Sequence, residues 1–192
     1  MRIFSVRSAL LKVARSLGPS LGIAFALGGP ARAQGDATAY AWSAYPKAET
    51  TLFFTTGVTV DAADNVYASL LTDHTLVKIS PSGTVAALAG SAGVSGAADG
   101  TGAAARFNAP QGLAIDGFGA VYAADFGNST IRKISPTGTV LTLAGLANVR
   151  GKSDGPPATA RFSSPRGVAL DRIGNIYVTD SVNSSIRLIT LA

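Results

Sequence analysis

The chain has 192 residues, of which 16 are Lys or Arg and 11 are Asp or Glu, and its formal net charge at pH 7 is +5. It contains no Cys, which excludes disulfides, a Cys-ligated zinc site and a thiol nucleophile. Hydrophobic residues make up 47% and charged residues 14% of the sequence, and this composition excludes wholesale disorder.

The positive charge lies in the first 33 residues, which contain five basic and no acidic residues, whereas the remainder is neutral. A basic stretch, an apolar stretch over residues 17–29 and Ala31-Arg32-Ala33 predict a Sec-type signal peptide over residues 1–33. The alternatives are an uncleaved anchor or an Arg-rich organellar transit peptide. We therefore expect export to the periplasm or the medium, without membrane contact after cleavage. A neutral exported chain also predicts no nucleic-acid partner.

An N-terminal segment over residues 34–56 precedes the repetitive part of the chain. Two of its stretches, residues 38–45 and 50–56, have strand-like sequences. We interpret one of them as a candidate closing strand for the blades that follow.

A 55-residue repeat begins at Gly57, with copies over residues 57–111, 112–166 and, in part, 167–192. The first two copies are identical at 26 of 55 positions. Alternation of apolar and small residues predicts four short strands in each copy, and the fourth is missing from the last copy. Turns such as Asp116-Gly-Phe-Gly119 join neighbouring strands into antiparallel meanders. We predict an all-β chain of about two and a half β-propeller blades.

The repeated motif resembles the NHL-repeat β-propeller family, in its secreted bacterial form, over residues 57–192. The motif consists of Phe107 to Gly112, Asp116, Val121-Tyr122, Asp125, Asn128 and Ile131 to Ile134, with counterparts in the third copy. The first copy departs from it at Leu70, Asp73 and Val77. The resemblance specifies a fold and not an activity.

The resemblance implies a ring of about six blades, whereas the repeat count is two and a half. Unpaired edge strands invite association. Two interpretations stay open: the chain is a fragment of a longer propeller, or a homo-oligomer completes the ring by exchanging the N-terminal strand.

Candidate binding residues lie in two long loops, over residues 91–110 and 146–165. In one interpretation Asp99, Arg106, Asp154 and Arg161 face a polar ligand or a cation. In the other, the Asp supports a Gly turn, the Arg pairs nearby, and the following Phe fills the space between blades. Repetition in every blade favours the second interpretation.

Three polar positions repeat around the turn between the second and third strands. They are Asp125, Asn128 and Arg132 in the second copy, and Asp180, Asn183 and Arg187 in the third. We expect the Asp and Asn side chains to form hydrogen bonds with nearby backbone, and each Arg to form a salt bridge with an Asp. All six residues are therefore predicted to have structural roles.

His74 is the only histidine, and we expect it to be an exposed loop residue. A single His excludes a three-His zinc site, and no Gly-x-Ser-x-Gly elbow is present, so His74 is a weak catalytic candidate. We predict a non-catalytic binding or scaffold module for a protein or a small polar ligand, without a cofactor. The alternative is a hydrolase or lyase of the lactonase or streptogramin-lyase kind, with a divalent cation such as Ca²⁺.

Overall fold

The computed structural model describes residue 52 and residues 54–190. These residues belong to one compact unit of the chain. The predicted signal peptide and nearly all of the predicted N-terminal segment lie outside the described residues. In the described part of the chain, no helix has the length and apolar character needed to cross a membrane.

Three antiparallel sheets follow one another along the chain at the spacing of the repeat, and the second sheet begins with residues from the end of the first copy. The first contains β1 (Thr55–Val60), β2 (Val66–Leu70), β3 (Thr75–Ile79) and β4 (Val85–Gly90). The second contains β5 (Gly100–Thr101), β6 (Pro110–Ile115), β7 (Val121–Asp125), β8 (Thr130–Ile134) and β9 (Thr139–Ala144). The third contains β10 (Pro165–Leu170), β11 (Ile176–Asp180) and β12 (Ser185–Ile189).

Each sheet is a meander in which consecutive strands pair antiparallel. The second sheet gains β5 outside β9, and the third ends at β12, whose outer edge pairs with no strand among residues 54–190. The prediction of all-β propeller blades with an incomplete last blade is confirmed, and the three sheets do not close a ring. The sequence does not predict β5, because two residues are too few to show alternation.

The tight turns follow from Asp and Gly at fixed positions. Oδ1 of Asp116 accepts hydrogen bonds from the backbone N–H groups of Phe118 and Ala120, both at 2.9 Å. Gly119 closes this turn with a φ of +83°, in the left-handed region. In the first blade Asp64 takes the same position with a φ of 60°, as its tolerance for this region predicts.

Two of the three hydrophobic clusters lie between blades, and the third consists of residues of the first blade and Leu52. The first and second blades meet through a cluster that includes Tyr67, Leu76, Phe107, Leu113 and Ile134. The second and third blades meet through a cluster that includes Tyr122, Ile131, Phe162, Ile176 and Val178. Phe107 and Phe162, one repeat apart, are buried at equivalent places, which confirms the prediction that they fill the space between blades.

Both end blades of the array expose some of the side chains that adjacent blades bury elsewhere. Ile186 in β12 is 73% exposed, whereas Ile131, one repeat earlier, is 0% exposed. Val58 in β1 is 65% exposed, whereas Leu113, one repeat later, is 7% exposed. We call the surface of the third blade that carries Ile186 the trailing face.

Candidate functional site

The long loops between blades emerge at the same end of the sheets as the turns between second and third strands, because strand direction alternates in a meander. Each loop begins with an isolated β-bridge, in which a single pair of residues bonds across the loop and folds it back on itself. The bridged pairs are Ser91 with Val94 and Leu146 with Val149. We call this end of the blades the loop face.

Asp125 and Arg132 form the centre of a polar network in the second blade. Nη1 of Arg132 donates to Oδ2 of Asp125 at 2.9 Å, and Nη2 donates to Oδ1 of Asp99 at 2.7 Å. Asp125 also accepts from the backbone N–H of Asn108 and from Nδ2 of Asn128, both at 2.7 Å. The side chains of Asp125 and Arg132 are wholly buried, and that of Asp99 is 44% exposed.

The same side chains hold the loop that precedes the blade. Arg132 donates to the carbonyl oxygen of Arg106 at 2.9 Å, and its guanidinium lies 5.2 Å from the ring centre of Phe107. Nδ2 of Asn128 donates to the carbonyl oxygen of Gly96 at 2.6 Å. We call this group of side chains the loop clamp, and it comprises Asp99, Asp125, Asn128 and Arg132.

The prediction that Asp125 and Asn128 bond local backbone is wrong. Asp125 accepts from an amide 17 residues earlier, and Asn128 donates to a carbonyl 32 residues earlier, so both bonds bridge the preceding loop and the blade. The predicted salt bridge from each Arg to an Asp is confirmed, for Arg132 with Asp125 and for Arg187 with Asp180.

The two carboxyl groups of the clamp have opposite pKa shifts. Burial raises the pKa of Asp125, against the lowering effect of its hydrogen bonds from Asn108, Asn128 and Arg132. Partial burial acts to raise the pKa of Asp99. Hydrogen bonds from Thr142 and the charge of Arg132 outweigh this effect of burial, so the pKa of Asp99 is lowered. Asp99 is therefore an anion at neutral pH and neutralises the buried guanidinium.

The third blade repeats the clamp 55 residues later, in a more open form. Asp180 accepts from Nη1 of Arg187 at 3.1 Å, from Nδ2 of Asn183 at 2.7 Å and from the backbone N–H of Ser163 at 2.7 Å. Nη2 of Arg187 pairs with Asp154. The side chain of Arg187 is 13% exposed and that of Asp154 is 89% exposed.

The first blade replaces the clamp with apolar contacts. Leu70 and Val77 stand one repeat before Asp125 and Arg132, and both are buried. Leu52, in the segment that precedes this blade, packs against their cluster. The substitutions seen in the first copy therefore form a matched set, in which apolar packing takes the place of the ion pair.

Among the described residues, Arg106 and Arg161 form no ion pair with the carboxylates with which the sequence groups them. Each donates through Nη1 to two backbone carbonyl oxygens of its own loop. Asp99 and Asp154 bind the clamp arginines instead. The role of Asp99, Arg106, Asp154 and Arg161 in binding a ligand stays a prediction.

His74 is partly buried, which corrects the expectation of an exposed loop residue. Its backbone has a φ of 56°, and its Nδ1 accepts a hydrogen bond from the backbone N–H of Ala109 at 3.0 Å. The neutral ring then carries its proton on Nε2. His74 thus connects the first blade to the segment that leads into the second, and its catalytic role stays a prediction.

The described part of the chain contains no preformed metal site. Residues 54–190 contain no group of three or more His, Asp or Glu side chains placed to hold a metal ion. Calcium takes about six to eight oxygen ligands. The divalent cation expected for the enzyme alternative stays a prediction.

Exposed apolar side chains on the loop face are a feature that sequence reasoning missed. Val94, Leu146, Val149 and Val182 are 46%, 45%, 42% and 63% exposed. Val94 and Val149 lie one repeat apart, which is the signal that the sequence offers for this surface. We call these four side chains the loop-face patch.

A family profile described as the NHL repeat matches residues 162–187. This stretch runs from the Phe between the second and third blades to the clamp arginine of the third blade. The match thus covers the inter-blade side chain, the first two strands and most of the third strand of one blade.

The chain is similar to parts of several longer proteins. Protein SUPPRESSOR OF QUENCHING 1, chloroplastic, of Arabidopsis thaliana is 38% identical over 94 residues, which are 48% of this chain and 9% of that protein. A solved structural genomics protein of unknown function from Bacteroides thetaiotaomicron is 31% identical with a TM-score of 0.61, over 65% of this chain and 32% of that one. A solved auxiliary nutrient binding protein from Bacteroides ovatus is 25% identical with a TM-score of 0.59, over 66% and 35%. The chain therefore spans about a third of the length of these solved structures.

Proposed function

Since the chain carries NHL-type β-propeller blades, we propose that it is a non-catalytic binding module that acts through its loop face. The observation that carries this proposal is the loop-face patch, whose four apolar side chains are exposed on loops of defined conformation. The four side chains project from loops at one end of the blades, and exposed apolar side chains at one end of a fold favour an interaction surface there.

The polar groups of the loop face support binding rather than catalysis. The carboxylates of both clamps bind arginine, and their hydrogen bonds recur one repeat apart. The ring nitrogen Nδ1 of His74 is engaged with the backbone. A catalytic site needs groups that are free to exchange protons with a substrate, and these contacts engage the candidates in holding the loops.

The chemistry of the patch indicates a class of ligand. Arg150 and Lys152, next to Val149 in the sequence, are exposed and add positive charge. The favoured ligand, whether a small polar molecule or a protein segment, therefore combines an apolar part with an anionic group. The similarity to a solved nutrient binding protein supports a small molecule.

Export is part of the proposed function. Its basis is the sequence of residues 1–33, in which basic residues precede an apolar stretch and Ala31-Arg32-Ala33. N-terminal sequencing of the secreted protein tests it, with Gln34 expected as the first residue. A secreted protein that begins at Met1 would contradict it.

A ligand screen with the mature protein tests the binding function. We expect small anions that carry an apolar part to raise the melting temperature with saturable dependence on concentration. The rise is lost in Val149→Glu and kept in Phe118→Glu, a control at the opposite end of the blades, where Phe118 is 93% exposed. A rise in melting temperature that persists in Val149→Glu would mean that the ligand binds elsewhere on the protein.

Lactone hydrolysis with and without added Ca²⁺ distinguishes the enzyme alternative. The binding module shows no turnover above the buffer rate in the parent or in His74→Ala. Turnover in the parent that is lost in His74→Ala would favour the hydrolase or lyase, with His74 as acid or base.

A further inference from the structure

Arg166 and Phe126 form a cation–aromatic contact between the third blade and the second. The guanidinium carbon of Arg166 lies 5.0 Å from the ring centre of Phe126. Arg166 is the second residue of β10, next to the end of the second long loop, and Phe126 begins the turn between β7 and β8. Both residues therefore lie at the loop face, at the junction of two blades that the structure describes.

This contact does not repeat, unlike every other cation–aromatic contact among the described residues. The other four form two sets that are one repeat apart, Lys78 and Lys133 over Tyr67 and Tyr122, and Arg132 and Arg187 over Phe107 and Phe162. The residues one repeat before Arg166 and Phe126 are Gln111 and Leu71, which are neither charged nor aromatic. A contact that recurs in successive blades supports the fold, whereas a contact unique to one junction indicates a specific role.

The strand pairing is irregular at the position of Arg166 in all three blades. The register between the first two strands shifts around Thr56, Gln111 and Arg166, which are one repeat apart. Such bulges re-aim a side chain and are frequent next to functional sites. In the first blade the hydroxyl of Thr56 donates to the carbonyl oxygen of Pro110 at 3.0 Å. The fold therefore repeats the backbone irregularity, and the third blade places a guanidinium there.

The guanidinium of Arg166 has its hydrogen-bond donors available. Its N–H groups have no acceptor and no ion-pair partner among the described residues. The other arginines of the loop face that lie close to a blade, by contrast, bind backbone carbonyl groups or carboxylates. A guanidinium that rests against an aromatic ring pairs with a carboxylate or a phosphate through two parallel hydrogen bonds.

The segments that carry this contact are bonded to the segments that carry the loop-face patch. The backbone N–H of Asn148 donates to the carbonyl oxygen of Asn128 at 3.0 Å, which joins the loop of Val149 to the turn between β7 and β8. The backbone N–H of Val182 donates to the carbonyl oxygen of Ser163 at 3.1 Å, in the segment that leads into β10. Apolar side chains and the guanidinium therefore stand on adjoining segments of one face.

We propose that Arg166 binds the anionic group of the loop-face ligand, a carboxylate or a phosphate, with Phe126 as a positioning residue. The apolar part of the ligand contacts the loop-face patch. Arg150 and Lys152 are exposed, and their side chains have no bond to the described residues, so they attract anions without fixing one. This inference deepens the proposed function, on which its ligand class rests.

An NMR titration of the full chain with benzoate and with phenyl phosphate is the measurement, followed at the Nε–Hε group of Arg166. We expect a saturable change in chemical shift with these anions and none with benzyl alcohol, which lacks the charge. The anion with the higher affinity shows whether the site favours a carboxylate or a phosphate. In Arg166→Gln, which copies Gln111, the affinity followed at the Val149 amide falls about tenfold, since hydrogen bonds to a charged group are lost.

Arg150→Gln combined with Lys152→Gln is the matched control, because it removes two positive charges from the same face. It lowers the affinity much less than Arg166→Gln does, since exposed and unfixed charges contribute little. Phe126→Leu, which copies Leu71, weakens binding in the parent and has no further effect in Arg166→Gln. Circular dichroism checks that each variant keeps the fold.

The outcomes separate this inference from the loop-face function. Absence of a saturable change at Arg166 with either anion, or equal effects of Arg166→Gln and the control, would overturn the inference. Loss of binding in Val149→Glu with unchanged affinity in Arg166→Gln would support the loop-face function and overturn the role of Arg166. A change at Arg166 that persists in Val149→Glu would support the anion site and contradict the role of the patch.

Discussion

Arg132 and Asp125 form an ion pair in which both side chains are wholly buried, with 2.9 Å between Nη1 and Oδ2. Removing one partner leaves an uncompensated charge away from water. We therefore expect Arg132→Met to lower the free energy of unfolding by about 3–5 kcal/mol. Urea denaturation followed by circular dichroism measures this change.

Lys133→Met in the same strand is the control for that substitution. The ammonium of Lys133 lies 5.4 Å from the ring centre of Tyr122, and Lys133 is partly exposed. Its loss costs about 0.5–1 kcal/mol, as for an exposed cation over an aromatic ring. Equal effects of the two substitutions would contradict a special role for the buried pair.

Combining Asp125→Leu with Arg132→Val imitates the first blade, where Leu70 and Val77 hold these positions. Arg132→Val leaves the buried Asp125 without its ion-pair partner, and Asp125→Leu leaves Arg132 paired with Asp99 alone, whereas the double change removes both buried charges. We expect the double variant to be more stable than the sum of the single effects predicts, by about 1–3 kcal/mol. A double-mutant cycle in urea measures this coupling, and strict additivity would contradict it.

The strands, turns and inter-blade Phe residues could be predicted because their determinants are local or periodic. The alternation of apolar and small residues predicts β6 and β7, and Asp116 with Gly119 predicts the turn between them. The clamp could not be predicted in full. The bond from Asn128 to Gly96 depends on how the preceding loop folds back, and no local pattern fixes that path.

The loop-face patch shows the same limit for the candidate site. Val94 and Val149 repeat, but an apolar loop residue that repeats fits a core position as well as an exposed one. The residue one repeat before Val182 is Gly127, so the repeat does not indicate an apolar side chain at this position. Whether these side chains are exposed depends on how the loops fold, which for Val94 and Val149 includes bridges to Ser91 and Leu146.

Gly112 lies where two blades approach most closely. A Cβ at this residue would be 2.4 Å from the carbonyl oxygen of Arg166 and 2.8 Å from Cα of Gly167, both in the backbone of β10. We expect Gly112→Ala to destabilise the protein by about 1–3 kcal/mol, as overpacking does. Thermal unfolding measures the loss.

Gly117→Ala is the matched control, since a Cβ at Gly117 would meet nothing within 4 Å. Its effect stays within about 0.5 kcal/mol. A tolerated Gly112→Ala would mean that the blades can separate without cost.

Asp99 gives the clamp a predictable pH dependence. Its pKa is lowered below the ordinary 3.8 in the folded protein, since hydrogen bonds from Thr142 and the charge of Arg132 outweigh its partial burial. A lowered pKa adds stability that is present above the unfolded-state value and is lost as pH falls through the folded-state value. Asp99→Asn therefore destabilises the protein at neutral pH, and this difference shrinks as the pH falls below the ordinary value of 3.8. Urea titrations at several pH values measure the difference, and a difference independent of pH would contradict this assignment.

The trailing face leads to the prediction that copies of the chain associate. Ile186 and Leu188 are 73% and 52% exposed on it, and Ile131, one repeat before Ile186, is fully buried against the third blade. The equivalent surface of the second blade is buried against the third, and association with a second copy of the chain buries it at the third blade. We expect light scattering of the parent to show an oligomer that Ile186→Lys with Leu188→Lys converts to a monomer. Ile173→Lys, at a turn residue 79% exposed, leaves the oligomer intact, and a parent that is monomeric at every concentration would contradict the prediction.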